Sequence, residues 1–91
     1  MSGIIQLLQQ HKEEFFKKYS IKTMALFGSY SRGEETKDID VMVELNNPDA
    51  RAFINLSYEL AEIVKQKIDL VSKNGVKERY MKAIEKDLLY V

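Results

Sequence analysis

The chain has 91 residues and sets 14 Lys and Arg against 14 Asp and Glu, with no cysteine and one histidine. That length allows one domain over residues 1–91 with a modest core, and the balanced charge gives no global drive to wrap nucleic acid or coat a membrane. Without cysteine, and with His11 alone, disulfide frameworks, thiolate metal sites, thiol nucleophiles and multi-histidine centres are excluded, so a bound metal must take oxygen ligands, as magnesium, manganese and calcium do.

The first apolar run, Ile4 to Leu8, is far too short to span a bilayer, and no small-residue cleavage site follows it. The expectation is therefore a cytoplasmic protein. Ile4, Leu8, Phe15 and Tyr19, with Ile5, Leu7 and Phe16 beside them, recur near helical spacing. They predict one amphipathic helix over 3–19 that shows His11, Lys12 and Lys17 to water. Residues 21–27 (IKTMALF) read as a strand that ends at Gly28, and the unbroken apolar run from Met24 suits a strand covered on both faces.

A polar, glycine-bearing connection follows, GSYSRGEETK, with room for a short helical turn. The next strand, 38–45, alternates: Ile39, Val41, Val43 and Leu45 share one face and Asp38, Asp40, Met42 and Glu44 the other. Asn47, as a cap, and Pro48, at the first helical position, predict a helix running to about Gln66, with Phe53, Leu56, Leu60, Ile63 and Val64 as its apolar stripe. A short strand, 67–71 (KIDLV), comes next. Asn74-Gly75 breaks the chain before a last helix over 76–87 that buries Val76, Tyr80, Ile84 and Leu88, and the terminal LLYV either docks as a strand or packs. Interleaved strands and helices predict an α+β (mixed α/β) domain: a small mixed sheet of three to four strands with helices packed against it.

Asp38 and Asp40 stand out, because aspartate is depleted in strands and period-2 geometry points both carboxylates to one face. Two charges so close repel unless something positive sits between them, and a bridging divalent cation is the economical answer. Read singly, Asp38 ends a turn and Asp40 faces water. Gly28 permits close approach to the backbone and Ser29 offers a hydroxyl beside unpaired N–H groups, which suits a phosphate, although Gly-Ser alone is also a plain turn. Asp69, the acidic residue of KIDLV, joins the pair if its strand neighbours 38–45, and otherwise faces solvent at an edge.

Taken together, LFGSYSRGEETKDIDVMVEL (26–45) resembles the signature of the nucleotidyltransferase superfamily that includes DNA polymerase β, and within it the minimal nucleotidyltransferase (MNT) group. The likeness covers nearly the whole chain and implies the nucleotidyltransferase fold. It implies that Asp38 and Asp40 hold the metal that grips a triphosphate, that Asp69 joins them on a second metal activating the attacking hydroxyl, and that Gly28 and Ser29 bind phosphates. The implied cofactors are two Mg2+ ions, with Mn2+ as an alternative, and the donor is ATP or another NTP. Asp69 is also placed to accept the hydroxyl proton. Arg32 either supports the phosphates or anchors Glu34 and the turn, with equal weight. The sequence departs from the family in its spacer of eight residues between Gly-Ser and Asp-x-Asp, shorter than usual, and in Lys37 where a small polar residue is common.

Charge is split locally. Residues 28–45 carry two basic and five acidic side chains, while 72–86 carry five basic (Lys73, Lys77, Arg79, Lys82, Lys86) and two acidic. The acidic stretch suits metal ions; the basic helix suits phosphates, an acidic partner or simply solvent.

The resemblance implies a protein adenylyltransferase-like enzyme that moves AMP from ATP onto a hydroxyl, plausibly a tyrosine of a HEPN-type toxin partner, and so serves as antitoxin. The competing expectation is a catalytically weak or inactive nucleotide-binding module that neutralises its partner by occlusion. A nucleic-acid-binding role is disfavoured by the charge balance and the lack of an aromatic-basic stripe. Homo-oligomerisation is left open.

Overall fold

The computed structural model describes residues 2–34, 38–47 and 49–91. Their elements run in the order α1 (Ser2–Gln10), α2 (Lys12–Lys18), β1 (Ile21–Phe27), α3 (Gly28–Ser31), β2 (Asp38–Leu45), α4 (Ala50–Val64), β3 (Lys67–Ser72), a 3-10 turn (Lys73–Gly75), α5 (Glu78–Ile84), a second 3-10 turn (Glu85–Asp87) and β4 (Leu89–Tyr90). The four strands form one sheet in the order β3-β2-β1-β4. β1 pairs antiparallel with β2 and β4, while β2 and β3 are parallel, joined by the α4 crossover. This is the mixed sheet with packed helices that the sequence predicts.

The alternation in β2 sorts the sheet into two faces. Ile39, Val41 and Val43 are fully buried, with Leu26 and Met24 of β1 and Ile68 of β3 in register beside them. α1, α2 and α4 cover that inner face. Leu56 and Leu60 of α4 are also fully buried, and each contributes about 1.5–3 kcal/mol by leaving water. On the outer face, Ala25 and Met42 are buried too, which agrees with a β1 apolar on both sides. The C-terminal segment supplies cover there: its first 3-10 turn packs on β2 and its second on β1, and Lys73 reaches Glu44 of the outer face at 3.5 Å.

Four local expectations are corrected. The helix expected over 3–19 is two helices, with His11 as a turn residue (φ −99, ψ 3). No apolar residue stands between Leu8 and Phe15 to hold the middle against the sheet, so the break falls in the polar stretch while both stripes stay buried. The cap of α4 is Asp49 and not Asn47: its carboxylate accepts from the Arg51 N–H at 3.0 Å. Pro48, expected at the first helical position, lies outside the described residues. α4 stops at Val64 because Lys65 adopts a left-handed conformation (φ 57) and returns its N–H to Ala61. Finally, the last helix is one α-helix of seven residues between two 3-10 turns, and Tyr80 is 56% exposed where burial is expected. No helix among the described residues is long and apolar enough to cross a membrane.

Candidate active site

The site lies at one end of the outer face, where β1 leaves the sheet and β2 and β3 enter it. β1 delivers Phe27 opposite Asp40, and the chain then turns through Gly28 at φ +73. A side chain at Gly28 would be strained at this positive φ, and its Cβ would force the Asp40 carboxylate to move. α3 is a single turn, closed by the Arg32 N–H to Gly28 carbonyl bond (3.3 Å) and by the Ser31 hydroxyl donating to the same carbonyl at 2.8 Å. Gly33, again at positive φ (+80), donates its N–H to the Tyr30 carbonyl and ends the turn. The Ser29 side chain and Lys37 lie outside the described part, while the Ser29 backbone belongs to α3.

Parallel pairing places Asp69 directly beside Asp40, and Asp38 beside Lys67. Aligned residues on neighbouring strands share a face about 4.8 Å apart, and Asp38 sits on that same face about 7 Å back along β2. The condition set for Asp69, that its strand neighbours 38–45, is thus met. The cost of the crowding is visible in Asp40, whose proton affinity is raised above the usual carboxylate range. Burial is the main cause, followed by the charges of Asp69 and Asp38, with Arg32 acting in the opposite sense.

Arg32 anchors the turn, one of the two roles expected of it: its Nε donates to Glu34 at 2.8 Å and one Nη1 hydrogen to Asp87 at 2.9 Å. The bond to Asp87 is a contact that sequence reasoning misses. The two residues lie 55 apart in the chain, and no local spacing signals their meeting.

These side chains present oxygen donors, the chemistry that a hard divalent cation needs. Among the described residues no group of three or more acidic or histidine side chains is gathered tightly enough to hold a metal as it stands. Asp38, Asp40 and Asp69 nevertheless share one face, and the proton affinity of Asp40 is raised first by burial and then by the charges of Asp69 and Asp38. The residues fit a Mg2+-type ion in donor chemistry and in sign.

A glycine turn set hard against aligned carboxylates lies at the open end of a small mixed sheet, an arrangement suited to phosphate chemistry at a metal. The chain belongs to the family described as Polymerase beta, Nucleotidyltransferase, whose model matches residues 8–90. It is 39% identical over 95 residues to a provisionally named protein adenylyltransferase of Methanocaldococcus jannaschii, covering 100% of this chain and 97% of that protein. It is 32% identical over 94 residues to the protein adenylyltransferase MntA of Thermococcus cleftensis, covering 100% of this chain and 95% of that one. Among solved structures, it resembles a chain from the complex of a tri-AMPylated Shewanella oneidensis HEPN toxin with its MNT antitoxin. The TM-score is 0.69 at 23% identity, over 93% of this chain and 69% of that one, a likeness of fold.

Proposed function

We propose that this nucleotidyltransferase moves AMP from ATP onto a hydroxyl of a partner protein, a tyrosine of a HEPN-type toxin, and thereby acts as its antitoxin. The observation that carries the reading is the register of Asp40 with Asp69, with Gly28 packed against Asp40. The names borne by the relatives supply the adenylyl group and the protein acceptor; the complex of a tri-AMPylated HEPN toxin with an MNT antitoxin supplies the partner class.

In this reading Asp38, Asp40 and Asp69 hold two Mg2+ ions, which when bound supply Lewis acidity toward the phosphates and the attacking hydroxyl. Gly28 and Ser29 receive the phosphates at the start of the turn, and Arg32 adds positive charge at the same turn. The acceptor oxygen attacks the α-phosphorus in line, the bond from that phosphorus to the β-phosphate's bridging oxygen breaks, and pyrophosphate leaves. Asp69 takes the hydroxyl proton. The site works in the cytoplasm, where ATP and magnesium are available.

The test is incubation with labelled ATP, magnesium and the protein encoded next to it, repeated with the Asp38→Asn/Asp40→Asn variant. Label on the partner that disappears with the variant supports the reading. Protection of the partner that needs no nucleotide and survives the substitutions overturns it in favour of occlusion.

A further inference from the structure

The C-terminal segment does more than close the sheet. It leaves β3, crosses the outer face and returns as β4, with Tyr90 paired to Ala25 and Leu89 to Leu26, so that β1 lies between it and the aspartates of β2. Just before β4, Asp87 meets Arg32 at 2.9 Å. This is the ion pair that ties the glycine turn to the far end of the chain. The Arg32 side chain is 45% exposed and that of Asp87 29%, so neither is buried for packing reasons. A guanidinium has five N–H donors in a rigid fork. Glu34 accepts from Nε and Asp87 from Nη1, so two carboxylates on different segments hold the guanidinium.

We infer that Asp87 is a positioning residue for nucleotide binding: it holds Arg32 at the glycine turn, facing the phosphates of the bound triphosphate. The inference rests on the transfer reading above and extends it to a residue outside the 26–45 signature. A long arginine at a half-exposed position has much rotamer entropy to lose, and a phosphate must overcome this unless the protein has already done so. Glu34, two residues away, restrains the guanidinium from its own loop alone. Asp87 adds a fixed point on a separate element, joined to β1 through β4.

The test compares Asp87→Asn, Asp87→Glu, Arg32→Ala and the double variant Asp87→Asn/Arg32→Ala, reading ATP dissociation constants with magnesium, KM and kcat, and melting temperature. An exposed pair of this kind is worth a few tenths to about 1 kcal/mol, so Asp87→Asn is expected to weaken ATP binding by about two- to fivefold. The loss falls on KM with kcat largely kept, Asp87→Glu restores part of it, and Asp87→Asn has no further effect once Arg32 is alanine. Unchanged or tighter ATP binding in Asp87→Asn overturns the inference, as does an equal loss in the Arg32→Ala background or a fall in melting temperature alone. Wild-type protein that binds no ATP overturns the transfer reading itself, which separates the two failures.

Discussion

Replacing Gly28 by alanine tests the contact on which the site is built. Gly28 sits at φ +73, and a Cβ there would collide with Oδ2 of Asp40 and lie 3.3 Å from its Cγ. Gly33 offers an internal control: its φ is +80, and an added Cβ would meet nothing within 4 Å. Gly33→Ala should therefore cost only the backbone term, about 1–2 kcal/mol. Gly28→Ala adds the displacement of the Asp40 carboxylate, about 0.5–1.5 kcal/mol for a side chain forced off its rotamer, for a total of about 1.5–3.5 kcal/mol. With an m-value of about 1.5 kcal/mol per molar, the urea midpoint should fall by roughly 1.0–2.3 M, a large part of the stability of a domain this size. Transfer activity should fall about a hundredfold in Gly28→Ala, since Asp40 is moved by an ångström or more, and be largely kept in Gly33→Ala. In an Asp40→Ala background the nearest remaining contact is the residue-40 Cβ at 3.6 Å, an ordinary separation, so the excess cost of Gly28→Ala should vanish. Equal losses from the two glycine variants, or an excess that survives Asp40→Ala, would refute the close-approach reasoning.

Other outcomes follow from the same structure. Because the folded state raises the proton affinity of Asp40, its contribution favours the fold below pH 3.8 and is lost as pH rises through the raised value. Asp40→Asn should therefore raise the melting temperature of the metal-free protein near neutral pH by a few degrees, an effect that fades in acid, while transfer drops at least about a hundredfold. A melting temperature that is lower in Asp40→Asn at neutral pH would contradict the crowding account. Magnesium should stabilise the wild type in thermal scans and leave Asp38→Asn/Asp40→Asn unmoved. Leu60→Ala removes a side chain of zero exposure and should cost about 2–5 kcal/mol by urea unfolding. Asp49→Ala should cost about 1 kcal/mol through loss of the α4 cap, whereas Asn47→Ala should cost much less.

What could be read before the fold was known follows a physical line. β1 and β2 announce themselves because burial writes its period directly into IKTMALF and DIDVMVEL, and the glycine before two strand aspartates is a local pattern with a chemical reason. The placement of Asp69 was readable only as a condition, since which strand lies beside β2 is decided by the crossover through α4. The break at His11 and the capping by Asp49 in place of Asn47 turn on a residue or two of backbone geometry, where several polar side chains could serve. Tyr80 fits the apolar spacing of α5, yet α5 lies at the margin of the sheet, where an aromatic ring finds too little to pack on. The bond from Arg32 to Asp87 leaves no periodic trace, because it depends on where the C-terminal segment lands.

The parallel register of β2 and β3 makes the assembly of the site self-checking. Asp69 lies between Ile68, which is 7% exposed, and Leu70, packed against the core from the same strand. Were β3 to pair one residue out of step, Asp69 would be driven under the helices while Ile68 and Leu70 turned outward. The core thus acts as a proofreader for the chemistry: a chain that has buried its oil has necessarily lined up its acids. Damage to the alignment of Asp40 with Asp69 should consequently show itself first as a folding defect, so that well-folded molecules with a misaligned pair are scarce.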